Sequence, residues 1–331
     1  MPENARPVDL SGAYDIVCDN PTIHTTLPNT DLELFYVYKR EILALFDIPE
    51  MAEVERGQYL CTFLYNPFED FWKGVGRSDK TVFSEEMSQG ILRFVKSQNQ
   101  IDEMTQNPGF QAAFSTNYEM LFTNIAVKTA VLSGHQPRGR WYLEFDMGED
   151  MGGFGQGNMF ANLLNIRLRG DKDGLTFSLP HEMHHQILDE TRQPENWTWT
   201  FGRCIVEEGF CCYFSYIFWD KQYSPALNID FTEEEWTWCL NHEHKIFSAA
   251  KPHLDKTDED IIHTFHQWHE YVWPDGPDRL AYFIGFRICE AYVSKHGPDS
   301  WRELYGQAPD ETLLRSGYLS DHPEEEPSHD G

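Results

Sequence analysis

Between Asp31 and about Trp72 the apolar positions recur at intervals of three and four: Leu32, Leu34, Phe35 and Tyr38, then Ile42, Leu45 and Phe46. That interval lines one stripe of a helix, so the stretch is expected to be helical. Ile91, Phe94 and Val95 open a second helical pattern, and Tyr118 to Val131 a third. Residues 31–134 therefore read as a helical region that supplies one wall of a cleft. Residues 1–30 are polar and Pro-rich and read as an N-terminal extension around the body. Beyond Arg140 the pattern changes. Trp141-Tyr142-Leu143-Glu144-Phe145 reads as a strand, and Asn158 to Leu168 as another. Gly148, Gly152, Gly153, Gly155 and Gly157 lie between them. No Gly-Lys-Ser/Thr follows these glycines and no helix opens there, which argues against a nucleotide site and for a flexible hairpin connection.

From Ser178 a short helix is expected, with Ser178 as its cap, Pro180 in its first turn and Pro194 as its stop. It carries His181-Glu182-Met183-His184-His185, an H-E-x-x-H sequence. Residues four apart share a helix face, so His181 and His185 can address one metal ion, with Glu182 beside them to take a proton from metal-bound water. His184, three residues after His181, offers a competing pair, but the i, i+4 pair converges better and is preferred. A third ligand is expected from the apolar segment Phe201 to Phe214, which holds Glu207 and Glu208 at its middle. A carboxylate in such a helix is costly unless it is paired or binds a metal. Glu208 is the choice, because it precedes Gly209, which permits close helix approach, and shares a stripe with Cys204 and Cys212. Glu207 is then directed elsewhere, to solvent or to an imidazole N–H. The plain alternatives are surface histidines and two surface glutamates on an amphipathic helix.

Three blocks carry a resemblance: His181 to His185, Glu207 to Phe214, and Ala281-Tyr282-Phe283-Ile284-Gly285-Phe286-Arg287 through Tyr292. Together they resemble the YjaZ-like family of predicted Zn-dependent proteases over roughly residues 135 to 300. The resemblance implies a gluzincin-type metallopeptidase, with one Zn2+ per chain held by His181, His185 and Glu208. Glu182 is then the general base. Tyr282 is taken as the donor to the oxyanion, and Arg287 as a weaker candidate for a substrate carboxylate. Two positions depart from the pattern. Cys211 stands where the family has a small residue, and Cys212 stands where better-known gluzincins have an aspartate that orients a ligand histidine. Part of Gly153 to Leu164 is expected to hold a substrate backbone as an added strand. The implied substrate is a peptide or a small amide. A closed, structural metal site with a fourth side chain as ligand is the non-catalytic alternative.

Charge and cysteines narrow the rest. Lys+Arg is 26 and Asp+Glu is 54 in 331 residues, a net charge of −28. That argues against nucleic acid and anionic membrane surfaces as partners. Seven cysteines among apolar neighbours, with no apolar run after Met1-Pro2-Glu3, lead to the expectation of a cytoplasmic protein with reduced thiols. Two other histidine groups, His242/His244 and His263/His266/His269, read as ordinary helix-face residues. The expected fold is α+β and mostly helical: a zincin-like core over residues 135–318 with a small sheet and the H-E-x-x-H helix, and a disordered acidic tail at 319–331.

Overall fold

A computed structural model of the chain describes residues 7–145, 151–165, 168–169, 172–191, 198–258 and 276–318. The acidic tail, the His263/His266/His269 group and most of the segment before β4 lie outside the described residues. The fold is α+β, mostly helical, with a small mixed sheet. No helix among the described residues is long and apolar enough to cross a membrane.

Two compact units are formed, residues 1–130 with 136–182, and residues 131–135 with 183–331. In the first, α1 (Leu10–Asp19) starts at Asp9, whose carboxylate accepts the Gly12 N–H at 2.7 Å. Strands β1 (His24–Thr26) and β2 (Asp31–Tyr36) follow. The expected helix therefore does not begin at Asp31. Leu32, Leu34 and Tyr36 are buried and the residues between them are more exposed, so a period of two governs here. Helicity begins with α2 (Val37–Glu50) and continues in α3 (Glu53–Leu60), a π-helical turn (Cys61–Tyr65), α4 (Glu69–Gly74) and α5 (Lys80–Phe94). Next come α6 (Gln98–Gln106), α7 (Pro108–Ser115) and α8 (Tyr118–Ser133). Local chemistry sets several of these starts. Asp79 caps α5 through the Thr81 and Val82 N–H groups at 2.8 and 3.1 Å, and Asn107 caps α7, with Pro108 in the first turn.

The sheet is completed by β3 (Arg138–Glu144), β4 (Met151–Gly153) and β5 (Met159–Asn162), in the order β1-β2-β3-β5-β4. β2, β3 and β5 are parallel, and the two outer strands are antiparallel to their neighbours. β5, in the stretch assigned to substrate, is an inner strand; β4 forms the edge. Tyr142 of β3 is sandwiched between Phe35 (centroids 4.8 Å apart) and Phe71 (5.0 Å). These stacked rings sit in a core with Trp72, Phe68 and Phe160. Trp72 donates its indole N–H to the Leu64 carbonyl at 3.1 Å, so its one polar atom is satisfied in the interior.

Helix α9 (Gly174–Thr191) is continuous across the division between the units, which falls between Glu182 and Met183. It starts four residues ahead of Ser178, and Pro180 lies inside it. The second unit also contains α10 (Phe201–Phe218), α11 (Pro225–Asn228), α12 (Glu233–Ala250), α13 (Leu280–His296) and α14 (Pro309–Ser316). α12 opens with a capping box between Thr232 and Glu235. α10 and α13 meet backbone to backbone. A Cβ on Gly209 would lie 1.9 Å from the Gly285 carbonyl carbon, and one on Gly285 would lie 1.9 Å from the Ile205 oxygen. Both partners are main chain, so neither can rotate away.

Gly285→Ala should therefore force the two helices apart and cost about 3 kcal/mol, the upper part of the overpacking range. Gly90→Ala, on α5 where a Cβ meets nothing within 4 Å, should be neutral or mildly stabilising. Thermal unfolding of the two variants side by side checks this. Equal melting temperatures would refute the close-packing account.

Candidate metal centre

The H-E-x-x-H residues lie on α9, whose apolar positions Leu175, Phe177, Leu179, Met183, Ile187 and Leu188 are buried. α10 is buried on almost every face, Glu207 included at 8% exposure. A helix buried all round has no solvent face for its acids, so each carboxylate must find a partner. Glu208 finds His185: its Oε2 lies 3.2 Å from His185 Nε2. The expected pairing of the H-E-x-x-H helix with Glu208 is thus present as a contact between those two side chains.

The tightest group of possible ligands is a different one. Ligand atoms of His181, His185 and Cys211 all lie within 4.8 Å of one another. Along the sequence Cys211 is a departure from the family pattern, in the place of a small residue, and is not among the expected ligands. Its signal was available: Glu208 and Cys211 are three apart and share a helix face as surely as residues four apart do. The stripe chosen from the sequence ran through Cys204, Glu208 and Cys212 and passed over it.

His184 is interior. It is fully buried, with Nε2 2.8 Å from the Tyr305 hydroxyl and Nδ1 3.3 Å from Cys211 Sγ. Its ring stacks on Phe214 at 4.4 Å and 8°, and Phe210 meets it edge-on. Aromatic contacts and two hydrogen bonds hold it away from the His181/His185 face. Burial works against a charged His185 ring, yet the Cys211 and Glu208 side chains beside it hold its pKa well above the ordinary value. Burial pushes the Cys211 thiol up to about 12, with His185 pulling the other way. Burial likewise raises Cys212 well above the ordinary thiol range. Two imidazoles, a thiol and a carboxylate form a donor set suited to zinc.

The remaining proposed residues have other surroundings. Glu182 is half-buried on α9. Tyr282 is half-buried near the start of α13, with the Arg279 guanidinium 5.9 Å from its ring centroid. Arg287 is ion-paired with Glu243 at 2.9 Å and with Glu290, and Tyr318 donates to the same Glu243 oxygen at 2.8 Å. Its guanidinium is part of a half-buried network that ties α12 to α13, which argues against a substrate carboxylate as its partner. His242 bonds the Trp238 carbonyl of its own helix at 2.7 Å and stacks on that indole.

The Tyr305–His184 bond gives a direct test of this packing. Tyr305→Phe should leave a fully buried ring nitrogen without its partner and cost about 1–3 kcal/mol. Urea denaturation measures it, and an unchanged midpoint would show that the bond carries no net stability.

No match was found among curated proteins or among solved structures. One family model matches, over residues 178–320, less than half of the chain. This finding corrects the resemblance to YjaZ-like predicted zinc proteases, and with it the readings that rested on that resemblance: the metallopeptidase activity, the hydrolysis of peptides or small amides, and the gluzincin assignment. The physical reason is that H-E-x-x-H specifies only which residues share one helix face; it does not specify an open position for water or a substrate cleft. The cytoplasmic expectation is corrected as well, because the matching model is one of lipoproteins and the cysteine pattern reports burial rather than compartment. From α9 through α14 this chain is similar to the family described as gliding motility protein GldB.

Proposed function

We propose that this chain is a non-catalytic protein of gliding motility, the role named by the matching family model, and that one Zn2+ per chain serves as a structural staple between α9 and α10. The motility half of the reading rests on the match over residues 178–320. The metal half rests on one observation: ligand atoms of Cys211, His181 and His185 lie within 4.8 Å of one another, with Glu208 3.2 Å from His185.

Those four side chains would supply four protein donors. A zinc ion held by four protein ligands keeps no position for a reactive water, and its binding energy goes into the fold. Cys211 would bind as the thiolate, its proton released to solvent, and the Glu208 carboxylate that now rests on His185 would complete the donor set. Glu182 then has no bound water to deprotonate, and Tyr282 no oxyanion to steady. The α9–α10 pair would keep the metal-bearing geometry of a zincin-like core without its chemistry. His184, bonded to both Cys211 and Tyr305, would fix the orientation of the sulfur.

Elemental analysis of the purified full chain should give one zinc per molecule. His181→Ala and His185→Ala should each abolish it, while Glu182→Gln should retain it. In the cobalt-substituted protein a sulfur-to-cobalt charge-transfer band is expected, and Cys211→Ser should remove it. Chelation should lower the melting temperature by on the order of 10 °C, the size expected for loss of a ligand present far above its dissociation constant. A cobalt spectrum without a thiolate band, or a metal content indifferent to Cys211, would overturn the four-donor reading.

A further inference from the structure

The first unit contains a cationic feature that neither the metal centre nor the family match accounts for. Arg40 projects from α2 into a cavity of about 530 Å³, walled by α3 and the π-helical turn after it. Its guanidinium carbon lies 4.0 Å from the centroid of the Phe63 ring. Its Nε is buried with no hydrogen-bond partner among the described residues. Acids outnumber bases 54 to 26 in this chain, and other arginines take carboxylates: Arg138 takes Asp31, Arg140 takes Glu33 and Asp70, Arg287 takes Glu243. With so many acids available, a guanidinium seated on a ring rather than on a carboxylate is held open for something else.

The walls suit a ligand. Phe63 stacks on Tyr59 at 4.8 Å, and the Tyr59 hydroxyl donates to Asp47, which fixes the pair. A guanidinium lying on a ring face keeps its N–H edge free for bidentate bonds. Thr62 and Gln58 line the same cavity and add hydrogen-bonding groups. Thr62 and Phe63 belong to the π-helical turn Cys61–Tyr65, a rare geometry that is frequent at functional sites, which is an observation independent of the cavity. Burial lowers the Arg40 pKa from its ordinary value, as expected of a cation that has given up water without gaining an acid. Exposed Glu55 lies on the same wall, so one guanidinium is set against one carboxylate. That balance favours a singly charged group over a polyanion.

We propose that the Arg40–Phe63 cavity is a binding site for a small organic carboxylate with a planar or apolar body: the Arg40 fork receives the carboxylate and the Phe63–Tyr59 pair contacts the body. Benzoate is the probe, benzamide its neutral counterpart and phenyl phosphate the more highly charged one. In a chemical-shift titration of the full chain, benzoate should saturate with a dissociation constant of roughly 1 mM, a reasonable strength for so small a ligand. The shifts should centre on Phe63 and Tyr59. Benzamide and phenyl phosphate should bind more weakly. Arg40→Lys, which keeps the charge and loses the fork, should weaken benzoate about tenfold. Phe63→Leu should weaken it as well. The proposal fails if benzamide binds as well as benzoate, if phenyl phosphate binds more tightly, if Arg40→Lys binds benzoate like the parent, or if benzoate does not saturate. The comparison of the three probes on the parent chain needs no variant, so it stands whether or not the substituted chains fold.

Discussion

The second unit depends on one contact, the meeting of α10 and α13 at Gly209 and Gly285. Two helices whose main chains touch cannot slide or roll without collision. The rotation of α10 about its own axis is therefore settled at Gly209, one residue from Glu208 and two from Cys211. Since neighbouring helix positions point about 100° apart, that rotation decides which of the α10 side chains face α9. The grouping of His181, His185 and Cys211 is thus a consequence of a packing choice made on the far side of the helix.

Around that centre the structure trades polarity for order. His184 is fully buried, yet both ring nitrogens are engaged and both neighbouring phenylalanines contact its ring. A buried imidazole with its bonds made is rigid, and its Nδ1 lies 3.3 Å from the Cys211 sulfur. The same economy governs α12 and α13, where Arg287, Glu243 and Tyr318 meet in a half-buried network. Such networks tolerate no missing member, because the group left behind stays buried and unpaired.

The first unit solves its packing with aromatic rings. Tyr142 between Phe35 and Phe71, and Trp72 bonded back to Leu64, join the sheet to α4 and the π-helical turn. That turn ends a helix early and widens its last coil, which gives Phe63 its place under Arg40. The charge excess of the chain makes the Arg40 seat conspicuous.

Much of this was legible along the chain. The strand at Trp141, the helical character of 37–50 and 118–133, the i, i+4 pairing of His181 with His185, and the meaning of Gly209 all follow from local period and local chemistry. The strand at Asp31 was not, because Leu32, Leu34 and Phe35 satisfy a three-four spacing as readily as alternation, and only pairing with β3 decides between them. Activity was the larger miss. A motif reports the few residues it contains, and its neighbours across space determine whether the ion has an open position. Sequence alone determined that two imidazoles share a face of α9, since four residues make one turn of any α-helix. Tertiary structure alone decided that Cys211 joins them and that His184 turns inward, because the roll of α10 is set by a glycine contact with a helix more than seventy residues downstream.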